Sequence, residues 1–244
     1  FGRCGHFFII LGDDFIFEKT YQYRDGSVVS GTVVGVGIAG ARTIGIGVRH
    51  GWVPIGMPMK VTRAQGAVLH ELDGKPAISV YEDYFGQELV QQMRHEGLTR
   101  QGSAYPLGIQ GEAANQWLLR NVVAFQEDGS LACSGEIPEG SWLQLMIGSK
   151  ELALEASRQA AQHAIQAMSR VSLVLVFDSV VRRQFLGRQA AVAEISQIRQ
   201  IVGGQTPIAG LYTYGEQAPV RRTPTGHGSA VSQTGAVLII ALGE

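Results

Sequence analysis

The stretch "VSLVLVFDSVVRRQFLGRQAAVAEISQIRQIVGGQTPIAGLYTYGEQAP", Val171 to Pro219, decides how the chain is read. Its opening run, Val171 to Phe177, is apolar but for Ser172 and of strand length, and it is closed by Asp178 and Ser179. From Arg188 to Val202, Ala191, Ile195, Ile198 and Val202 share one helical face, and Gly203 stands at the exit. Ile208 to Tyr214 is then a second short strand. It ends in Tyr212, Tyr214, Gly215 and Glu216 where a polar turn is usual, so this strand end is a candidate for carrying a binding group.

Outward from this unit, helix and strand alternate with hairpins. Ala236 to Leu242 reads as a closing strand, separated from Glu216 by a long glycine, proline and basic loop of the kind that is functional or disordered. Upstream, Lys150 to about Ser169 is alanine-rich and helical, with Ser149 as N-cap and Glu151 in the first turn. Asp128-Gly129 marks a hairpin, and Asp73-Gly74 a turn before a helix that has Pro76 near its first position and Ala77, Val80, Tyr81, Tyr84 and Phe85 at helical spacing. A second helical piece runs from about Gln87 to His95. The N-terminal third reads as an antiparallel meander, with Asp25-Gly26 as a tight hairpin and Ile44, Ile46 and Val48 alternating with Thr43, Gly45 and Gly47. No internal repeat is evident. The pattern predicts an α+β fold of antiparallel-rich mixed sheets with outer helices, layered α-β-β-α.

Bulk properties narrow the function. With 244 residues and 45% hydrophobic content the chain buries a proper core, and a net charge of -1 gives no electrostatic case for nucleic acid or an anionic membrane. The longest apolar runs are far shorter than the roughly 20 residues of a membrane helix. Cys4 and Cys133 make no disulfide framework and have no metal-ligand spacing, so a reducing, cytoplasmic setting is expected. The chain starts at Phe1 without a signal-peptide pattern and is expected to be a fragment.

No hydrolase elbow, phosphate loop or zinc motif is present; "GVGIAG" lacks the helix a dinucleotide loop opens. The six histidines are dispersed, so neither a metal nor a cofactor is expected. Asp13-Asp14 reads either as a cation or amine site or as solvated residues before a strand. Asp178 and Ser179, followed by Arg182 and Arg183 at a helix start, read equally as an anion site or as simple capping. Tyr212, Tyr214 and Glu216 have one strand parity, which points them to one face; the tyrosines are alternatively core residues.

Several of these segments together resemble one family. Pro207, Gly210, Tyr212, Thr213, Gly215 and Glu216, with Glu194-Ile195 before them, are similar to the C-terminal half of the FIST domain, the F-box and intracellular signal transduction sensory module. "GDDFIFEKTYQYRDGSVVSGTVVG", "GVRHGWVPIGMPMKVTRAQGAVLHELDGKPA" and "DGSLACSGEIPEGSWLQLMIGS" are similar to it in the same order. Ser179 stands where the family pattern has a cysteine, and Val231-Ser232 where it has a His-Asn pair. The resemblance implies residues 1–72 as the remnant of a truncated N-terminal FIST half and 73–244 as the C-terminal half.

What the resemblance implies in function is a bacterial sensory domain that binds a small molecule, an amino acid among the candidates, and that works with histidine kinases, chemoreceptors or cyclases. Its expected ligand residues are Glu216, Tyr212, Tyr214, Gly215, Arg182, Arg183, Asp178 and Ser179, with guanidinium and carboxylate holding the two ends of a zwitterion. A homodimer through the N-terminal region is expected. A protein-recruiting scaffold and an amidohydrolase-like enzyme are the alternatives; the enzyme would draw on Cys4, Ser179 or Thr20, and no catalytic turnover is expected.

Overall fold

A computed structural model describes residues 8–12, 18–37, 43–96, 104–111, 116–219 and 230–244. In chain order the elements begin with β1 (Phe8–Leu11), β2 (Gln22–Arg24), β3 (Ser27–Val29), β4 (Thr43–Arg49), β5 (Trp52–Gln65), β6 (Val68–Leu72) and β7 (Lys75–Pro76). Then come α1 (Ser79–Glu96), β8 (Leu107–Gln110), β9 (Trp117–Arg120), β10 (Val122–Phe125), β11 (Leu131–Cys133) and β12 (Trp142–Gly148). The chain closes with α2 (Lys150–Ile165), β13 (Val171–Ser179), α3 (Val180–Val202), β14 (Ile208–Pro219), β15 (Ala230–Gln233) and β16 (Val237–Gly243). The fold is α+β, as the patterning predicts.

The Val171–Pro219 stretch builds the first sheet, of order β1-β14-β13-β16-β4 with β15 added to β14. β13 and β14 run parallel across the α3 crossover, and their other neighbours are antiparallel. Alternation gives this sheet two different faces. Val174, Val176, Val237, Ile239 and Ala241 face α2 and α3, packing on Ala160, Ala161, Ala164, Ile198 and Val202. Phe177, Ala218, Leu238 and Ile240 form a second apolar layer with Val48.

The glycines of β4 explain how closely α2 lies. A Cβ on Gly45 would fall 1.7 Å from the Ala164 carbonyl oxygen, one on Gly47 1.9 Å from that of Ala160, and one on Gly51 2.6 Å from the Ala153 Cα. Helix backbone rests on strand backbone. Ser149 caps α2 as expected, its Oγ accepting from the Leu152 N–H at 3.1 Å.

The second sheet has the order β10-β11-β6-β5-β12-β8-β9, with β7 added to β6. Its two end strands are successive pieces of one extended segment, 117–125, broken at Asn121. The sheet therefore curls round into a barrel-like ring whose corner is Asn121. The core of that ring, with Leu69, Leu107, Leu131, Leu143 and Leu145, also takes Tyr81, Val90 and Met93 of α1.

The meander expected over the N-terminal third is divided instead. Asp25 (φ 50) and Gly26 (φ 75) make the expected hairpin, but β2 and β3 stand alone as a two-stranded sheet. β4 joins the first sheet and β5 the second, so residues 1–72 and 73–244 each supply strands to both.

The helix expected after Asp73-Gly74 and the second helical piece from about Gln87 are one element, α1, broken between them, and Pro76 lies before it in β7. Both α1 and α3 are broken by a glycine seven residues after their first residue, Gly86 (φ 78, ψ 157) and Gly187 (φ 72, ψ 169). Both breaks use backbone territory that is essentially reserved for glycine.

Candidate functional site

The expected site residues divide between the two faces of the first sheet. Asp178 is the last β13 residue on the helix-facing side, and Arg182 follows one helical turn later; both are buried, Arg182 completely. Arg182 Nε donates to Asp178 Oδ1 at 2.8 Å. Nη2 donates to the Ala153 carbonyl at 3.0 Å, to Ser157 Oγ at 2.7 Å and to Glu194 Oε1, while Nη1 donates to the His50 carbonyl. Ser157 Oγ also donates to Glu194 Oε1. This guanidinium ties β13, α2, α3 and the β4–β5 link into one knot.

Two carboxyls share that single cation in the dry interior. Asp178 Oδ2 and Glu194 Oε2 have no hydrogen-bond partner. Burial holds Asp178 well above the usual carboxylate range; Glu194 pushes the same way and Arg182 opposes. His50, beside Arg182, is lowered to about 4 by burial first and by the positive charges of Arg182 and Arg49 second. Its Nδ1 accepts from the Trp52 N–H at 3.0 Å.

Of the two readings left open for Asp178 and Ser179, neither matches this arrangement. Ser179 makes no side-chain cap to α3, and Asp178 is occupied by Arg182. The expected clamp on a zwitterion by Arg182 is corrected on the same ground, because its guanidinium is enclosed and bonded on all sides by protein. Arg183 points outward, its guanidinium 5.3 Å from the centre of the Tyr212 ring. This is a surface cation–π pair. Tyr212 is 36% exposed and its hydroxyl is shifted upward, chiefly by burial.

Glu216 lies on the other face. In the β1 pairing, Ile10 stands opposite Gly215 and Leu11 opposite Thr213, so Tyr214 is a bulge. The bulge overturns the expected shared parity of Tyr212, Tyr214 and Glu216 and brings Glu216 round to the Thr213 side. Thr213 Oγ1 donates to Glu216 Oε1 and contacts the Asp178 carbonyl at 3.2 Å. Tyr214 is half-buried, its ring 3.1 Å from where a Cβ on Gly12 would sit, and Gly215 packs beside Ile10. Glu216 is fully buried with Oε2 unpartnered, and burial pushes its carboxyl up to about 8, against the pull of Thr213, Arg182 and the Ala236 and Glu216 backbone amides.

Glu216 pairs with Gln233 of β15, and the turn between β15 and β16 runs on through Thr234, Gly235 and Ala236. Ser179 Oγ accepts from the Gly235 N–H at 3.1 Å. The same turn receives the corner of the second sheet. Thr234 Oγ1 donates to the Leu119 carbonyl at 2.8 Å and lies 3.1 Å from Ser134 Oγ, which accepts from the Asn121 N–H at 2.9 Å. Arg120 Nη1 reaches the Ser232 carbonyl at 3.4 Å. Glu216, Thr213, Ser179, Gln233, Thr234 and Asn121 thus form a buried polar seam where the two sheets meet.

In the sequence Thr213 stands out only as a member of the family motif, with nothing to mark its bond to Glu216, and Asn121 is visible only as a polar interruption in "WLLRNVVAF". Asp13-Asp14 and Cys4 lie outside the described residues. Among the described residues there is no group of three or more His, Cys, Asp and Glu able to hold a metal, and no helix long and apolar enough to cross a membrane.

Comparison with known proteins adds the family. Residues 10–75 match the FIST N domain and residues 77–219 the FIST C domain, so the half expected only as a remnant is itself matched. An uncharacterised protein of Mycobacterium tuberculosis is 29% identical over 225 residues, covering 87% of this chain and 56% of its own length. One of Mycobacterium bovis is 26% identical over 225 residues, covering 87% of this chain and 55% of its own. One of Methanocaldococcus jannaschii is 30% identical over 145 residues, 55% of this chain and 27% of its own length. The chain spans about half the length of the mycobacterial relatives. No solved structure matches it.

Proposed function

Because the chain belongs to the FIST family, whose domains are sensory domains of signal transduction, we propose that it senses a small polar molecule bound in the seam between its two sheets. The observation that carries this reading is Glu216: a fully buried carboxyl with one oxygen fixed by Thr213 and the other, Oε2, making no hydrogen bond. A buried carboxyl oxygen left unpaired costs about 1–3 kcal/mol, which a ligand that donates to it would recover. The bulge at Tyr214 turns Glu216 toward the seam, and Ser179 fixes the turn beside it.

An amino-acid ligand held as a zwitterion is the finer reading implied by the family. It would need a cation other than Arg182 to face its carboxylate. The polar seam favours binding over turnover, since Ser179 Oγ, the buried nucleophile candidate, is engaged by the Gly235 N–H. Histidine kinases, chemoreceptors and cyclases are the partner classes to which such a domain would report, and a homodimer is the arrangement to look for.

Thermal-shift screening against small polar metabolites tests the reading, because a ligand at about 100 times its Kd adds roughly 2.7 kcal/mol. Glu216→Gln keeps an acceptor for Thr213 and turns the Oε2 position into a donor. It should weaken a hit by roughly 10- to 100-fold. A lower melting temperature with unchanged affinity per folded molecule would make Glu216 a purely structural carboxyl.

A further inference from the structure

Asn121 presents a second unpartnered polar group at the same seam. Its side chain is 2% exposed, and neither Oδ1 nor Nδ2 has a hydrogen-bond partner, although its backbone is fixed on both sides by Ser134. Burying both ends of a primary amide without partners is costly, and interiors rarely do so without something to meet them.

The space in front of the amide is defined by Gly235. This residue has φ +71, its N–H is held by Ser179 Oγ, and a methyl built on its Cα would sit 3.4 Å from Leu119 Cδ1, 3.9 Å from Trp52 Cζ3 and 4.0 Å from Asn121 Nδ2. These are ordinary contact distances. A recess of methyl size therefore opens beside the amide, with one indole edge and one leucine methyl as its apolar walls. The next residue, Ala236, has its N–H beside the Glu216 carboxyl, so both unpartnered groups adjoin the same two-residue turn.

We propose that the seam at Asn121 receives an uncharged group with a donor and an acceptor side by side, of the primary carboxamide class, paired edge to edge with the Asn121 amide, the recess at Gly235 giving it room for one heavy atom. An amide offers one acceptor and two donors, and the complementary edge is another amide. An anion would lie near the buried Glu216 carboxyl. A cation offers donors only and would leave Asn121 Nδ2 without an acceptor, and an anion offers acceptors only and would leave Oδ1 without a donor.

The inference rests on the seam being the ligand site, and acetamide, acetate and methylammonium are probes that separate the two. In protein carrying 15N-labelled asparagine, acetamide should shift the Asn121 side-chain NH2 signals saturably, with a Kd of about millimolar for so small a ligand. Acetate and methylammonium should bind at least ~10-fold more weakly. With 15N-glycine as a second label, Asn121→Leu should abolish the acetamide-induced shift of the Gly235 backbone amide, a signal that survives the substitution, while the protein stays folded, since it removes an unpaired polar group. If that variant fails to fold, Asn121→Asp, which loses the donor, should weaken acetamide by ~10-fold or more.

Equal response to all three probes, no saturable response, or a long-lived water at Asn121 that acetamide does not displace would overturn the proposal. So would a screening hit that depends on Glu216 and is indifferent to Asn121→Leu, and that result would leave the sensory reading standing. Acetamide binding at Asn121 alongside a null effect of Glu216→Gln on every hit would instead remove Glu216 from the site and keep this inference.

Discussion

α1 and α3 are built on one plan and filled with opposite chemistry. Each breaks at a glycine seven residues in, and each buries its third residue and its fifteenth: Tyr81 and Met93 in α1, Arg182 and Glu194 in α3. In α1 the pair joins an apolar core, and Tyr81 adds one hydrogen bond, 2.8 Å, to the Tyr105 carbonyl. In α3 the pair is ionic and knots four parts of the chain. The backbone device is indifferent to polarity. Charge has been placed on the helix whose strand ends beside Glu216.

The strongest way to break the equivalence is Arg182→Met, which leaves Asp178 and Glu194 buried without their cation. A loss of about 3–5 kcal/mol is expected from urea unfolding midpoints. A loss below about 1 kcal/mol would mean that the guanidinium is not what keeps the two carboxyls in the interior. Next in size, Gly86→Ala and Gly187→Ala should each cost about 1–3 kcal/mol, because an L side chain is strained at both breaks. The costs should be alike. A large effect at one site only would show the shared break to be coincidence.

The pH dependence sharpens the same contrast. The Glu216 carboxyl, at about 8, lies above its ordinary 4.5, so its contribution to stability is full below 4.5 and is lost as pH rises to 8. His50, at about 4, lies below its ordinary 6.5; its contribution is full above 6.5 and disappears as pH falls to 4. Between 6.5 and 8 the histidine is silent and stability should fall. Glu216→Gln should flatten that fall by up to about 1.4 kcal/mol per pH unit. Smallest of all, Tyr81→Phe should cost about 1 kcal/mol, the net worth of its hydrogen bond, with no change in slope across this window.

Much of the fold was legible. The buried run Val171–Phe177, the Ser149 cap and the Asp25-Gly26, Asp73-Gly74 and Asp128-Gly129 turns depend on local chemistry, and the structure has all of them. The partners of β4 and β5 depend on contacts distant in sequence, and there the simple meander failed. Glu216 stood out because a carboxylate at an apolar strand end is conspicuous. The bulge at Tyr214 leaves no local mark, so parity put Glu216 on the wrong face. Arg182 looked like a surface ligand clamp because a sequence does not reveal which arginine is enclosed. The α1 break was legible as two helical pieces on either side of Gly86, but its repeat in α3 was not, because Phe85-Gly86 and Leu186-Gly187 share only the glycine.

The glycine seats of β4 have a mechanical meaning. Two residues of strand advance about 6.7 Å and four residues of helix about 6 Å, so Gly45 and Gly47 meet Ala164 and Ala160 nearly in step. Side chains at a seam act as cushions, because their rotamers absorb small displacements. This seam has none. Any tilt of β4 passes to α2 almost undiminished, and α2 carries it to the Arg182 knot through Ala153 and Ser157, so strand and helix travel as one rigid lever.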